Sequence, residues 1–189
     1  ATVHTGGEQG VLSNADVLIR DGRIAAVGTG LSAPSSATTV AANGRALTPG
    51  LFGGLSAIGL EEVSLEPTTV DASVILNAPA FETQWRPEFD VTSAYNPRSV
   101  LVPVARVEGL TWTVLAPASA EGGTMLAGQG AAVTLDGRYD AVLNGSRSLF
   151  INLGGDANVL SAGSRAGQWM LLVQAIRETR APKAQGEDT

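Results

Sequence analysis

The chain has 189 residues and a formal net charge of −6, from 18 acidic residues against 12 basic ones. Nucleic-acid binding needs a basic face, and no cluster of Lys and Arg occurs, so a nucleic-acid partner is not expected. Cysteine is absent, which excludes disulfides, thiol catalysis and thiolate metal sites.

The first residues are Ala1-Thr2-Val3-His4, without an initiator Met, as after removal of a signal peptide behind a small residue. On this ground we expect a periplasmic or secreted protein, with a cytoplasmic one as the alternative. The longest apolar runs, such as residues 169–173, are far below the ~20 residues of a membrane span. A soluble globular chain without a membrane span is therefore predicted.

Residues 1–49 are predicted to form a domain of short β-strands. The predicted strands are 15–20, 23–28, 38–42 and 45–48. Asp21-Gly22 separates the first two strands and Asn43-Gly44 the last two. Asp-Gly and Asn-Gly are strong signals for type I′ hairpins, because both central residues need a positive φ. The order of strands and turns predicts a β-meander.

Beyond this domain the apolar pattern is less regular. Residues 61–98 are polar, contain Pro and Glu, and predict a long excursion from the regular strands. Further predicted elements are a short helix or turn-rich element within 97–109, strands at 110–117, 131–135, 141–143 and 148–153, and a helix at 161–180.

The predicted final helix has one apolar face, because Trp169, Leu172, Val173 and Ile176 are spaced i, i+3, i+4 and i+7. Such a face is expected to pack against the rest of the protein. Pro182 ends the helix, and residues 181–189 are predicted to be a polar tail.

Several stretches together resemble a known family. They read ADVLIRDGRIAAVG, VAANGRALTPGL, NPRSVLVPVARVEGLTWTVLAP and GGTMLAGQGAAVTLDG. In this order and spacing they resemble imidazolonepropionase-like members of the amidohydrolase superfamily. The resemblance implies an α/β fold, with a β-sandwich-type domain at 1–49 followed at 50–180 by the first part of a (β/α)₈ barrel. A complete barrel takes about 250 residues, so the barrel is incomplete in this chain.

In that family the first barrel strand follows a Pro-Gly turn and carries an Asp-x-His-x-His metal-binding motif. Here Pro49-Gly50 supplies the turn, and Gly53, Leu55 and Ala57 stand at the three motif positions. None of these side chains has a lone pair to donate. The single histidine, His4, lies far upstream and is expected to be an ordinary strand residue. We therefore expect no metal site in this chain, and a divalent metal such as zinc only in a completed assembly.

The resemblance implies metal-assisted hydrolysis of a C–N bond, in an amide or cyclic amide, as the ancestral reaction. The family's later groups, a bridging Lys, two His and a catalytic Asp, belong to strands beyond the end of this chain, so the isolated chain is expected to be inactive. The alternative is a non-catalytic structural or binding subunit. An open half-barrel exposes strand edges and apolar surface. The expected partner is the remainder of the barrel as a second chain, or another copy of this one.

Other polar candidates have a structural interpretation that outweighs the catalytic one. Asp136 precedes a Gly in a turn signal and Asp156 follows two Gly in a loop, which favours a structural role for both. Ser146 and Ser164 have no histidine at hand to act as a base, so a Ser-His-Asp arrangement is not expected.

The remaining candidates are glycines, glutamates and tryptophans. Gly122-Gly123 and Gly128-Gln129-Gly130 match neither phosphate-binding pattern and are predicted to be loop glycines. The glutamates, predicted to lie in a solvated loop, are Glu61, Glu62 and Glu66. The tryptophans, predicted to lie in the core, are Trp85, Trp112 and Trp169.

Overall fold

The structure is a computed structural model, and it describes residues 1–74, 85–119, 124–155, 157–158 and 163–180. These residues form a mixed α/β fold with several sheets, in which strands predominate. The chain divides into two compact units, Ala1–Leu51 and Phe52–Thr189. The polar tail predicted at 181–189 lies outside the described residues.

The first unit contains two small sheets. Its strands are β1 (Thr2–His4), β2 (Val11–Leu12), β3 (Asp16–Arg20), β4 (Arg23–Gly28) and β5 (Ala46–Leu47). One sheet has the order β2-β1-β5, with β1 antiparallel to β2 and parallel to β5. The other is the antiparallel pair β3-β4. His4 is the exposed last residue of β1, as expected of an ordinary strand residue.

The predicted hairpin at Asp21-Gly22 is confirmed. Asp21 has a φ of 51° and Gly22 a φ of 70°, the two positive values that a type I′ turn requires. Both residues lie between β3 and β4, which pair antiparallel. A local signal was sufficient here because the hairpin is closed by its own turn residues.

The predicted meander is wrong, because residues 38–42 form no strand. Asn43-Gly44 does form a turn, closed by a 3.0 Å hydrogen bond from Arg45 N to Ala42 O. The chain then enters β5, which pairs in parallel with β1. Val40 is exposed. A β-branched residue favours a strand only where a neighbouring strand or a buried face supports it, and this segment has neither.

The second unit is built around a four-stranded sheet in the order β6-β7-β8-β9. Its elements are β6 (Leu51–Ser56), α1 (Leu101–Val107), β7 (Leu110–Leu115), β8 (Leu126–Thr134), β9 (Ser148–Ile151) and α2 (Arg165–Arg180). Two 3₁₀ turns, Pro67–Thr69 and Val91–Ala94, lie between β6 and α1. The predicted helix near 97–109 and the strand that follows it are thus confirmed as α1 and β7.

The strands after α1 do not form the parallel βα units that the barrel resemblance implies. β7 pairs antiparallel with β8, and β8 antiparallel with β9. Parallel neighbours need a crossover connection, usually a helix. Residues 135–147 instead form turns with an isolated bridge between Val133 and Val142, so the strand predicted at 141–143 is reduced to that bridge.

The core of the second unit collects residues from separated segments. Its buried members are Leu60, Ala72, Val91, Leu115, Val133 and Ala141. Two of them, Ala72 and Val91, come from the stretch 61–98 that was predicted to leave the regular strands. In its described residues this stretch is therefore part of the packed core. Its buried residues have no period of two or 3.6, so the sequence pattern did not reveal them.

Gly128 and Gly130 lie inside β8, not in a loop as predicted. A Cβ at Gly128 would lie 2.3 Å from Phe89 O, and one at Gly130 would lie 2.0 Å from Leu115 O. These glycines allow neighbouring backbones to approach closely, which is a recognised use of glycine in a strand. Gly122-Gly123 lie outside the described residues.

The predicted final helix is confirmed as α2, but its inward face is different from the predicted one. The buried or half-buried positions are Gly167, Gln168, Leu171, Leu172 and Ala175. Trp169, Val173 and Ile176, expected to be inside, are exposed. No helix of the described ranges combines the length and the apolar character that crossing a membrane requires.

Candidate functional site

The three family motif positions lie on or just after β6. Gly53 is beside β7, and a Cβ there would lie 3.3 Å from Thr113 Cβ and 3.4 Å from Trp112 O. Leu55 is 69% exposed, whereas Ala57 packs against the core cluster. An Asp at position 53 would therefore require β7 to shift by a few tenths of an ångström.

The backbone of β6 is irregular at the centre of the motif. In a regular strand, residues 53, 55 and 57 would point to one face of the sheet. Gly54 has a φ of 74°, which interrupts that alternation. Leu55 faces solvent and Ala57 the core. The two positions therefore lie in different environments. In addition, neither side chain has an atom that could bind a metal.

Hydroxyl groups next to the motif are occupied by hydrogen bonds that join β6 to β7. Thr113 Oγ1 donates to Gly54 O at 2.9 Å and lies 2.8 Å from Ser56 Oγ. Thr113 has a single hydroxyl proton, so Ser56 Oγ is the donor of that second bond. Ser56 Oγ also accepts a hydrogen bond from Ile58 N at 3.4 Å. These hydroxyls hold the strands together and are not arranged as a nucleophile with a base.

No three His, Cys, Asp or Glu side chains among the described residues lie close enough together to hold a metal ion. A hydrolytic metal site needs three or four converging nitrogen or oxygen ligands. Gly53, Leu55 and Ala57 supply none. The residues present in the described part of the chain therefore do not fit the divalent metal that the resemblance implies for the complete family fold.

Glu62 is hydrogen-bonded to the segment just before α1, contrary to the prediction of a solvated loop. Its carboxylate accepts hydrogen bonds from Asn96 Nδ2 at 3.1 Å, Ser99 Oγ at 3.0 Å and Val100 N at 3.4 Å. All three donors precede Leu101, the first residue of α1, so Glu62 holds the segment through which the chain enters the helix. Glu66 is exposed, as expected.

Asp136 forms the turn that its Asp-Gly pair predicts. One carboxylate oxygen accepts a hydrogen bond from Arg138 N at 3.1 Å, and the other from Arg138 Nε at 2.8 Å. Burial raises the pKa of Asp136, but the hydrogen bonds from Arg138 outweigh it and hold that pKa below its ordinary value. Such a carboxylate stays ionised at neutral pH and suits a turn better than general acid chemistry. Asp156 lies outside the described residues.

The two candidate serines make hydrogen bonds to the backbone. Ser146 Oγ donates to Leu143 O at 2.6 Å and accepts from Ala132 N at 3.1 Å. Ser164 Oγ accepts from Gly167 N at 3.0 Å, in the position of a helix N-cap for α2. Both serines therefore have structural roles, as expected from the lack of a base.

The tryptophans differ in burial. Trp112 is half-buried and stacks on Phe52, with 4.3 Å between ring centroids and 24° between ring planes. Trp85 is also half-buried, while Trp169 is 61% exposed. The prediction that they lie in the core is therefore wrong for Trp169, which leaves a large apolar side chain on the surface.

Asp90 is a structural residue that the sequence reasoning missed. Its carboxylate accepts hydrogen bonds from Thr92 N at 3.0 Å and Thr92 Oγ1 at 2.7 Å, and pairs with Arg147. Burial raises the pKa of Asp90, but the bonds from Thr92 and Arg147 outweigh it and lower that pKa. The local signal is Asp90-Val91-Thr92, typical of an Asp that caps a turn. The pairing with Arg147, far along the chain, has no local signal.

A solved structure described as an amidohydrolase from Thermotoga maritima MSB8 is similar to this one, with a TM-score of 0.62 and 16% sequence identity. The match covers 92% of this chain and 46% of that chain, so this chain spans about half the length of the solved relative. No family model matches the sequence, and no curated protein matches it. At this identity the likeness shows the fold alone.

Proposed function

We propose that this chain is the scaffold part of an amidohydrolase-like hydrolase and is completed by a further polypeptide. The reaction of the completed assembly is hydrolysis of a C–N bond in an amide or cyclic amide. One observation carries the proposal: the match covers 92% of this chain but 46% of the amidohydrolase. The fold of this chain thus corresponds to about half of a protein named as a hydrolase.

Open sheet edges support the need for a completing polypeptide. In the sheet as described, β6 and β9 are the edge strands, each with one neighbour. Leu55 on β6 and Leu149 and Ile151 on β9 are exposed. An unpaired edge with apolar side chains is a ready template for another strand, and burying one such side chain contributes about 1.5–3 kcal/mol.

The roles proposed for this chain and for the completing polypeptide follow from the side chains at the motif positions. Gly53, Leu55 and Ala57 cannot bind a metal, so in this proposal the completing polypeptide supplies the metal ligands and the groups that transfer protons. This chain supplies strands, packing and one wall of the site. No step of the hydrolysis is assigned to its described side chains.

The same residues favour a second candidate, a non-catalytic structural or binding subunit. Its fold and its need for a partner are the same, but the assembly performs no hydrolysis. The observation behind it is the lack of any donor atom at Gly53, Leu55 and Ala57.

Metal content and hydrolysis, measured with and without the partner, test the proposal. The chain is purified alone and after co-expression with the polypeptide encoded directly after the Thr189 codon. Zinc per chain is measured by elemental analysis, and hydrolysis is followed on a panel of amides and cyclic amides. We expect no stoichiometric zinc in the isolated chain, and zinc with hydrolysis in the complex.

Two results decide against this assignment. One tightly bound zinc per isolated chain would show that this chain has a metal site of its own, and would overturn the scaffold role. A stable complex with neither zinc nor hydrolysis would reject the enzyme and select the non-catalytic subunit.

A further inference from the structure

The α2 helix is held to the rest of its unit by its first turns. Gln168 is buried, and its Nε2 donates to Gly154 O at 2.8 Å and to Asn158 Oδ1 at 2.9 Å. Its Oε1 accepts from Gly154 N at 3.0 Å. Because this polar anchor sets the rotation of the helix, the side of α2 with its largest apolar residues faces outward.

That outward side forms a groove along the helix that is apolar over the first turns and polar towards the C-terminal end. We call it the α2 groove, and it is lined by Ala166, Trp169, Met170, Val173, Gln174, Arg177 and Glu178. Trp169 is 61% exposed and Met170 62%. Contiguous apolar surface of this kind marks interaction sites in proteins, and Trp is enriched among the residues that dominate binding energy.

The charges beside the α2 groove are mainly positive. Helix α2 carries Arg165, Arg177 and Arg180 against the single acidic residue Glu178, whereas the whole chain has a net charge of −6. Within the described ranges, none of these three arginines forms an ion pair. The helix therefore carries three arginines against Glu178, and this excess of positive charge favours an acidic partner.

A second copy of this chain fits the groove poorly. In an antiparallel pair of α2 helices centred on Val173, Arg180 of each copy would lie beside Arg165 of the other. In a parallel pair, each arginine would lie beside its own counterpart. Like charges in such contacts oppose association, so the charge pattern disfavours self-pairing.

We propose that the α2 groove is the docking site for an amphipathic helix with acidic flanks, which belongs to the polypeptide that completes the fold. Apolar side chains of that helix pack between Trp169 and Val173, and its carboxylates pair with Arg177 and Arg180. The identity of the partner rests on the proposed function. The structural match leaves more than half of the amidohydrolase without a counterpart in this chain, which is ample length for such a helix.

Two synthetic helices of roughly 18 residues, about five turns each, test the docking site. Both carry the same Leu face, one with Glu flanks and the other with Lys flanks, and both carry a fluorescent label. Their binding to the 189-residue chain is measured by fluorescence anisotropy at low and high salt. We expect the acidic helix to bind about tenfold more tightly or better, and its advantage to shrink as salt screens the charges.

Substitutions locate the binding. Trp169→Ala is expected to weaken the acidic helix about tenfold or more. The double substitution R177E/R180E is expected to reverse the preference in favour of the basic helix. Val104→Ala, at an exposed apolar residue of α1, is the matched control and is expected to change nothing.

Equal binding of the two helices, or no reversal by R177E/R180E, would overturn the proposal. Self-association of the chain that is abolished by Val173→Asp would do so as well, because the occupant would then be a second copy. The peptides probe α2 alone, so the result is separate from that of the proposed function. If the chain proves to be complete without a further polypeptide but still binds the acidic helix selectively, the docking site is retained and the scaffold role is rejected.

Discussion

Gly130 lies where the backbone of β8 passes against that of β7. A Cβ at this position would lie 2.0 Å from Leu115 O and 3.0 Å from Phe150 Cε2. Because the nearest atom belongs to the backbone, a rotamer change cannot relieve the clash, and the strands themselves must move.

We therefore expect Gly130→Ala to lower the free energy of unfolding by about 2–3 kcal/mol. Urea denaturation monitored by circular dichroism measures the change. Gly155→Ala is the matched control, since a Cβ there has no atom within 4 Å, and its effect is expected to be small. Equal losses for the two substitutions would show that the β7–β8 approach is looser than described.

Asp90 links stability to pH. Its pKa in the folded state lies below the ordinary value of 3.8, which is close to that of the unfolded chain. A lowered folded pKa stabilises the protein above the unfolded pKa, and this stabilisation is lost as the pH falls through the folded pKa. We expect the melting temperature to fall below about pH 4, and Asp90→Asn to remove part of that fall. Identical acid profiles for the two proteins would contradict this role of Asp90.

At the scale of elements, the sequence predicted those whose signals are local. The β3–β4 hairpin follows from Asp21-Gly22, and α1 with β7 follows from one helical and one strand pattern. The strand predicted at 38–42 was wrong because a strand depends on a neighbouring strand, which the sequence does not show. The predicted inward face of α2 was wrong because the spacing of apolar residues takes no account of Gln168. The hydrogen-bond partners of Gln168, Gly154 and Asn158, lie in another segment.

Gln168→Ala tests how α2 is attached. The substitution removes three hydrogen bonds to Gly154 and Asn158 and leaves the helical sequence intact. We expect amide hydrogen exchange across Arg165–Arg180 to become faster, with little change in β7 and β8. Gln174→Ala is the control, because Gln174 Nε2 donates to Glu178 on the same helix. Unchanged exchange in Gln168→Ala would mean that other contacts hold the helix.

At the scale of the molecule, the residue types at the expected motif positions were evident from the sequence, but their geometry was not. Gly53, Leu55 and Ala57 follow a Pro-Gly turn, and their lack of donor atoms is evident from residue type alone. The positive φ of Gly54, the exposure of Leu55 and the antiparallel order of β7, β8 and β9 depend on contacts between distant segments. A resemblance to a parallel barrel could not indicate them.

The central claim is that this fold is incomplete without a further polypeptide, and the mass of the purified chain in solution tests it most directly. Native mass spectrometry and analytical ultracentrifugation at micromolar concentration give that mass. We expect a species heavier than 19.3 kDa, either a complex with the completing polypeptide or self-association through the β6 and β9 edges. We also expect Leu149→Asp to weaken self-association and Val173→Asp to leave it unchanged. A monodisperse monomer of 19.3 kDa that unfolds cooperatively would contradict the claim, because the strands would then close a complete, smaller fold.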